Sequence, residues 1–172
     1  MRRIWLLILG VWMLFSACSS PEQKAQKEIA AMEESLFNEE MGLLSPRQTE
    51  KLVGLYMDYA ADFSEDHWSP EYLFRAADVS MNVGNSALAL NLFSRIRKEY
   101  PHYEKVAQCL FLQGFIWDNN MGDVAKAREL YTLFLKLYPD NEFADDVKMS
   151  IEYLGKSSEE LIESFEKYSQ EE

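Results

Sequence analysis

Apolar side chains recur along the chain at helical spacing, in stretches separated by short polar turns. Residues 46–64 carry Leu52, Val53, Leu55, Tyr56, Tyr59, Ala60 and Phe63 as one stripe, the mark of an amphipathic helix. Ser45, Pro46 and Gln48 supply its start: a hydroxyl N-cap, a proline that needs no N–H in the first turn, and an amide able to reach back. Residues 141–154 carry a similar stripe through Phe143, Ala144, Val147, Met149, Ile151, Tyr153 and Leu154, and Gly155 ends it. Ser157 with Glu160 forms a second capping signature. It opens a last helix with Leu161, Ile162, Phe165 and Tyr168 on one side and the polar tail Gln170-Glu171-Glu172 behind. Nearer the start, Ala25, Ile29, Met32 and Leu36 make a narrow seam after Ser20-Pro21 and Gln23. The seam predicts a short amphipathic helix inside a tether over 18–45, packed on the first repeat or associating weakly with a second copy. It is too short to hold as a coiled coil alone. Residues 38–45 read as a loop, and the whole pattern predicts an all-α fold.

A repeat governs the middle of the chain. Gly84/Gly122, Ala89/Ala127, Phe93/Tyr131, Ile96/Phe134, Tyr100/Tyr138 and Pro101/Pro139 all stand 38 residues apart. The helices before them align at 37, through Leu73/Leu110, Phe74/Phe111 and Ala77/Gly114, so one extra residue falls just before Gly122. Each glycine can end a first helix in the left-handed conformation. Ala77, Gly114, Ala89 and Ala127 are small enough for paired helices to approach closely, and Phe93 and Tyr131 fill the space between neighbouring units. Pro101 and Pro139 stop the second helix, because proline cannot continue the hydrogen-bond ladder.

This order of glycine, alanine, aromatic residue and Tyr-Pro resembles the tetratricopeptide repeat. The resemblance covers two units, about 69–103 and 107–141, and implies a helix-turn-helix solenoid with capping helices at 46–64 and 141–169. Terminal helices with a polar outer face are what such an array needs. In this architecture the first helix of each pair lines the inner surface. Registering the two units puts Glu71, Phe74, Asp78, Met81 and Asn82 there from the first, and Gln108, Phe111, Phe115, Asp118 and Asn119 from the second. Rings beside acids and amides suit an extended or helical peptide with basic groups, although the same phenylalanines would serve equally as core. Some members of the family clamp a peptide carboxylate with lysine and arginine, and those basic residues are missing here at matching positions.

The first residues carry an address. Arg2 and Arg3 precede an apolar run from Ile4 to Phe15, 12 residues long and too short for the ~20 that span a bilayer. Ser16 and Ala17 then lead to Cys18. The segment resembles a bacterial lipoprotein signal over 1–17, cleaved before Cys18, with phenylalanine at 15 where leucine is usual. The resemblance implies diacylglycerol on the Cys18 sulfur and an acylated amino group, and hence a membrane held through lipid. Ser19, rather than aspartate, implies sorting to the outer membrane. Among lipoproteins and periplasmic proteins with such repeats, the chain resembles the lipoprotein of outer-membrane barrel assembly and the coordinator of the Tol–Pal system.

Composition narrows the chemistry. The 172 residues include 29 acidic and 17 basic side chains, and loss of Arg2 and Arg3 tilts the balance further. Such a surface repels phosphate backbones, so nucleic acid is not an expected partner. Seven glycines and five prolines are few for a β-sandwich. No sequence signature of a hydrolase, zinc site, phosphate loop or calcium loop is present. The two histidines, His67 and His102, fall in turns of different units, and Cys109 sits in an apolar helix where a buried, inert thiol is expected. No catalytic residue, metal or cofactor is assigned. The expected role is a non-catalytic scaffold in the cell envelope that binds another envelope protein. The competing reading is a ligand- or glycan-binding lipoprotein serving a transporter, with Trp68 and Trp117 as its aromatic resources.

Overall fold

The computed structural model describes residues 19–37, 45–157, 159, 160 and 162. The expected signal segment, Cys18, the loop at 38–44 and most of the last helix, Leu161, Phe165 and Tyr168 included, lie outside the described residues. Among those described, all regular structure is helical: α1 (Pro21–Phe37), α2 (Pro46–Asp62), α3 (Ser69–Asn82), α4 (Ser86–Glu99), α5 (Val106–Phe115) running into a π-helical turn at Ile116–Asn120, α6 (Val124–Leu137) and α7 (Ala144–Tyr153). The chain divides into two compact units, up to Glu65 and from Asp66.

In the first unit α1 packs on α2. Ile29 and Leu36 of the seam are buried, as are Leu52, Val53, Tyr56, Tyr59 and Ala60 of the facing stripe. Two hydrogen bonds fix the pairing: Tyr56 Oη donates to Glu33 at 2.6 Å, and Gln26 donates to Tyr59 Oη at 2.8 Å. Ser45 and Gln48 close the expected capping box on α2, and Ser20 and Gln23 make the same reciprocal pair at the start of α1. The seam is thus used within its own chain, against α2.

The second unit is built from helical hairpins. Each successive pair from α3 to α7 is in contact. Gly84, Gly122 and Gly155 have φ of 81°, 67° and 80°, the left-handed geometry that costs a residue with a Cβ most. Asn85 and Asp123, one repeat apart, cap α4 and α6 by accepting from the backbone N–H three residues on. At the far ends, Tyr100 and Tyr138 each donate their N–H to the carbonyl four residues back, both at 2.8 Å, and the prolines follow. Ala77, Ala89, Ala127, Phe93 and Tyr131 are wholly buried. Each large ring buried this way contributes about 1.5–3 kcal/mol.

The extra residue before Gly122 has a clear fate: α5 absorbs it as the π turn. Without it, one inserted residue would rotate every later side chain by about 100° around a helix of 3.6 residues per turn. The helix endings before and after the insertion are therefore equivalent. Asn85 N–H reaches Ser80 O at 2.8 Å, and Asp123 N–H reaches Trp117 O at 2.8 Å. Ser80 and Trp117 are 37 apart while Asn85 and Asp123 are 38 apart, so the turn takes up the difference between them.

Gly114 is where hairpin packing is tightest. A Cβ built there would lie 2.6 Å from the Tyr131 ring. Gly54, in the middle of α2, has nothing within 4 Å of the same position. Gly114→Ala should therefore destabilise the protein by about 1–3 kcal/mol, since an overpacked core must shift backbone or rotamers. Gly54→Ala should stabilise by up to about 1 kcal/mol, the helix-propensity gain alone. Urea unfolding followed by circular dichroism measures both; equal midpoints for the two variants would contradict the close approach of α5 and α6.

Candidate protein-docking groove

The first-helix positions of the two repeats do not share one environment. Glu71 on α3 is tied to its own chain. Arg75 Nε donates to it at 3.0 Å, Lys105 Nζ at 2.7 Å and Tyr103 Oη at 2.5 Å. Burial alone would raise the Glu71 carboxyl, but the hydrogen bonds from Lys105, Tyr103 and Arg75 outweigh it and hold the group below its ordinary range. Burial and the bond to Glu71 push the Tyr103 hydroxyl up in turn. The sequence alone pointed to no partner tuning this carboxylate; Arg75 stands one turn along the same helix, while Tyr103 and Lys105 come from the turn before α5, more than thirty residues away.

Phe74 and Phe111 pack between helices. Phe74 meets Phe93 edge-on at 5.7 Å, with Lys105 Nζ over its face at 4.9 Å. Phe111 stacks on Phe143 at 5.4 Å and meets Phe134 edge-on at 6.3 Å. Lys105 and Phe143 are 38 residues apart, so one position of the repeat covers the same ring once by a cation and once by a ring. Both contacts favour the π face. Asn82 and Asn119 are exposed, and each donates its side-chain amide to the carbonyl four residues back, Asp78 O at 3.0 Å and Phe115 O at 3.2 Å. Asp78, Met81 and Gln108 are half-buried.

Two clefts open on the second unit. One, about 740 Å³, lies between the start of α3 and the turn before α5 and is lined by His67, Trp68, Glu71, His102, Tyr103 and Lys105 among others. It brings to one lip the two histidines whose positions in separate turns gave no reason to place them together. Among the described residues no cluster of three or more His, Cys, Asp or Glu side chains is set to hold a metal. Cys109 is fully buried, and burial pushes its thiol up to about 12, the condition of an inert packing residue.

The other cleft, about 780 Å³, is the groove between α5 with its π turn and α7. Phe115, Asp118 and Asn119 line it, so the end of the second unit supplies three of the expected inner-surface residues. The opposite wall comes from Met149, Ser150 and Tyr153 of α7, helix positions that the sequence marked only as a hydrophobic stripe. Phe115, Val124 and Met149 are exposed around it. At its base stands Tyr131, wholly buried, whose hydroxyl lies within reach of Asp118 and Ser150 but meets neither in full hydrogen-bond geometry. Burial, then the Asp118 charge, pushes this phenol up to about 12, and burial raises the Asp118 carboxyl. A single register comparison would have found the polar set: Asp118, Tyr131 and Ser150 occupy the places held one repeat earlier by Met81, Phe93 and Leu112.

Residues 108–141 match the tetratricopeptide repeat family model. The span coincides, to within one residue, with the second unit delimited by its glycine and proline. Over the described residues the fold is all-α and consistent with a solenoid of the tetratricopeptide type, and such repeats generally mediate protein–protein interaction. No curated protein matches the chain.

The Glu71 network makes a pH prediction. A carboxyl held below its unfolded value, ordinarily ~4.3, contributes stability that is present above that value and lost as pH falls from there through the lower folded value. The melting temperature of the protein should fall toward that of Glu71→Gln as pH is lowered from 6 to 3. A gap between the two that stays constant over this range would contradict the assigned ion pairs.

Proposed function

We propose that this protein is a lipid-anchored, non-catalytic scaffold of the bacterial cell envelope. It docks another envelope protein along the first helices of its repeats, and the groove between α5 and α7 is the contact site. The observation that carries the reading is the character of that groove. Phe115 and Met149 are large apolar side chains exposed together with Val124 around one concave surface, and apolar side chains gathered at one groove suit a docking site. Elsewhere on the first-helix face Glu71, Phe74 and Phe111 are engaged internally, whereas Phe115, Asp118 and Asn119 line the groove, which favours that end of the array as the docking surface.

The anchor is Cys18, and the support for it is the order of charges, apolar run, small residues and cysteine at the start of the chain. Several acyl chains at ~0.8 kcal/mol per buried CH₂ hold a domain of this size on a bilayer firmly. A non-catalytic role is in keeping with the inert thiol and with carboxylates engaged in ion pairs.

Two measurements test the reading. Palmitate fed to growing cells should label the wild type and not Cys18→Ala; equal labelling would refute the anchor. A photo-reactive side chain replacing Phe115 should give one discrete protein adduct, while the same group at exposed Lys98 on α4 gives none. Matching adducts from both positions, or none from Phe115, would remove the groove as the docking site.

A further inference from the structure

The base of the α5–α7 groove is chemically one-sided. Asp118 offers a carboxylate. Ser150 has already given its proton, donating to Asp146 O at 2.9 Å, which leaves its oxygen free only to accept. The Tyr131 hydroxyl is buried without a partner, though it lies near enough to Asp118 and Ser150 for each to influence its ionisation. Leaving a buried hydroxyl unsatisfied is a cost to stability. The fold does not require this cost, because the preceding repeat fills the equivalent three positions with Met81, Phe93 and Leu112. The polar set arrives as a group, at one spot, beneath an apolar rim.

We propose that this base is a socket for one lysine side chain of the docked partner. The ammonium is held by Asp118, Tyr131 and Ser150, and its methylene stem lies along Phe115, Met149 and Tyr153. An ammonium has three donors and no acceptor, which matches three acceptor oxygens. A lysine stem is apolar and suits the rim. The charge of the lining agrees: Asp118, Asp146 and Glu160 stand against Lys156 alone among the described residues there, and the Lys156 ammonium lies 4.9 Å over the Tyr153 ring. A partner carboxylate or phosphate would meet repulsion in the same place. The inference rests on the docking reading above and names the group that is docked.

Three capped tripeptides test it: Ala-Lys-Ala, Ala-norleucine-Ala and Ala-Glu-Ala. Each is titrated into the full chain in detergent micelles with ¹³C-labelled tyrosine, the Tyr131 ring signal being assigned by its loss in Tyr131→Phe. The lysine probe should shift that signal saturably and bind at least tenfold more tightly than the norleucine probe, a difference of about 1.4 kcal/mol. Asp118→Asn, a near-isosteric change that removes a carboxylate disfavoured by burial, should bring lysine down to the norleucine level. Asp145→Asn, outside the groove and paired with Lys148 at 2.7 Å, should change nothing. Equal binding of lysine and norleucine would overturn the socket and leave an apolar groove. Preference for the glutamate probe would overturn it as well, and so would equal losses from the two aspartate variants, which would mean diffuse charge attraction. These failures are separate from that of the docking reading: an adduct from position 115 without lysine preference removes the socket alone, and absence of the adduct removes the docking site.

Discussion

The second unit depends on how closely the two helices of a hairpin can approach. At Gly114 the backbone of α5 lies against the Tyr131 ring, with no room for a methyl group between them. The corresponding residues of the preceding hairpin, Ala77 and Phe93, are wholly buried too. A small residue facing a large one sets the helix separation, and the separation sets which side chains of the next hairpin can reach in. The core that follows, including Leu110, Ala127, Phe134, Ala144 and Val147, is one continuous cluster because the hairpins keep this spacing. Close packing of this kind has little tolerance for added volume. That explains why an inserted residue had to be taken up as a π turn rather than spread through α5.

Much of the hairpin architecture was legible from spacing. The glycines with positive φ, the proline stops, the buried alanines and the capping pairs at Ser20, Ser45 and Ser157 are local rules, each satisfied within a few residues of chain. The family match over 108–141 falls on the unit those rules delimit. The site was less legible, for physical reasons. Whether Phe74 and Phe111 face a ligand or a neighbouring helix depends on contacts with Phe93, Lys105, Tyr131 and Phe143, which helical periodicity cannot resolve. Tyr103 and Lys105 reach Glu71 from a turn more than thirty residues away. Asp118 and Tyr131 were each visible, one as an inner-surface acid and one as a packing ring, but only the fold brings the hydroxyl of one toward the carboxylate of the other.

The two repeats therefore do different work on one plan. The first spends its polar groups internally: Glu71 gathers Arg75, Tyr103 and Lys105, and Lys105 also covers Phe74. The second leaves the Tyr131 hydroxyl unsatisfied at the base of a groove edged by Phe115, Val124 and Met149. A repeat protein can divide labour in this way because each hairpin draws most of its stability from its neighbours. Chemistry placed on one hairpin then disturbs the others little, and the same backbone can carry a purely structural unit beside one shaped for a partner.

A double-mutant cycle between Gly114→Ala and Tyr131→Leu measures the central contact directly. If the ring against the glycine sets the hairpin spacing, removing the ring relieves the added methyl group, and the two changes in unfolding free energy fall short of additivity by about 1 kcal/mol or more. Additivity to within ~0.5 kcal/mol would mean that the two residues act independently, and the account of the fold would fail with that result.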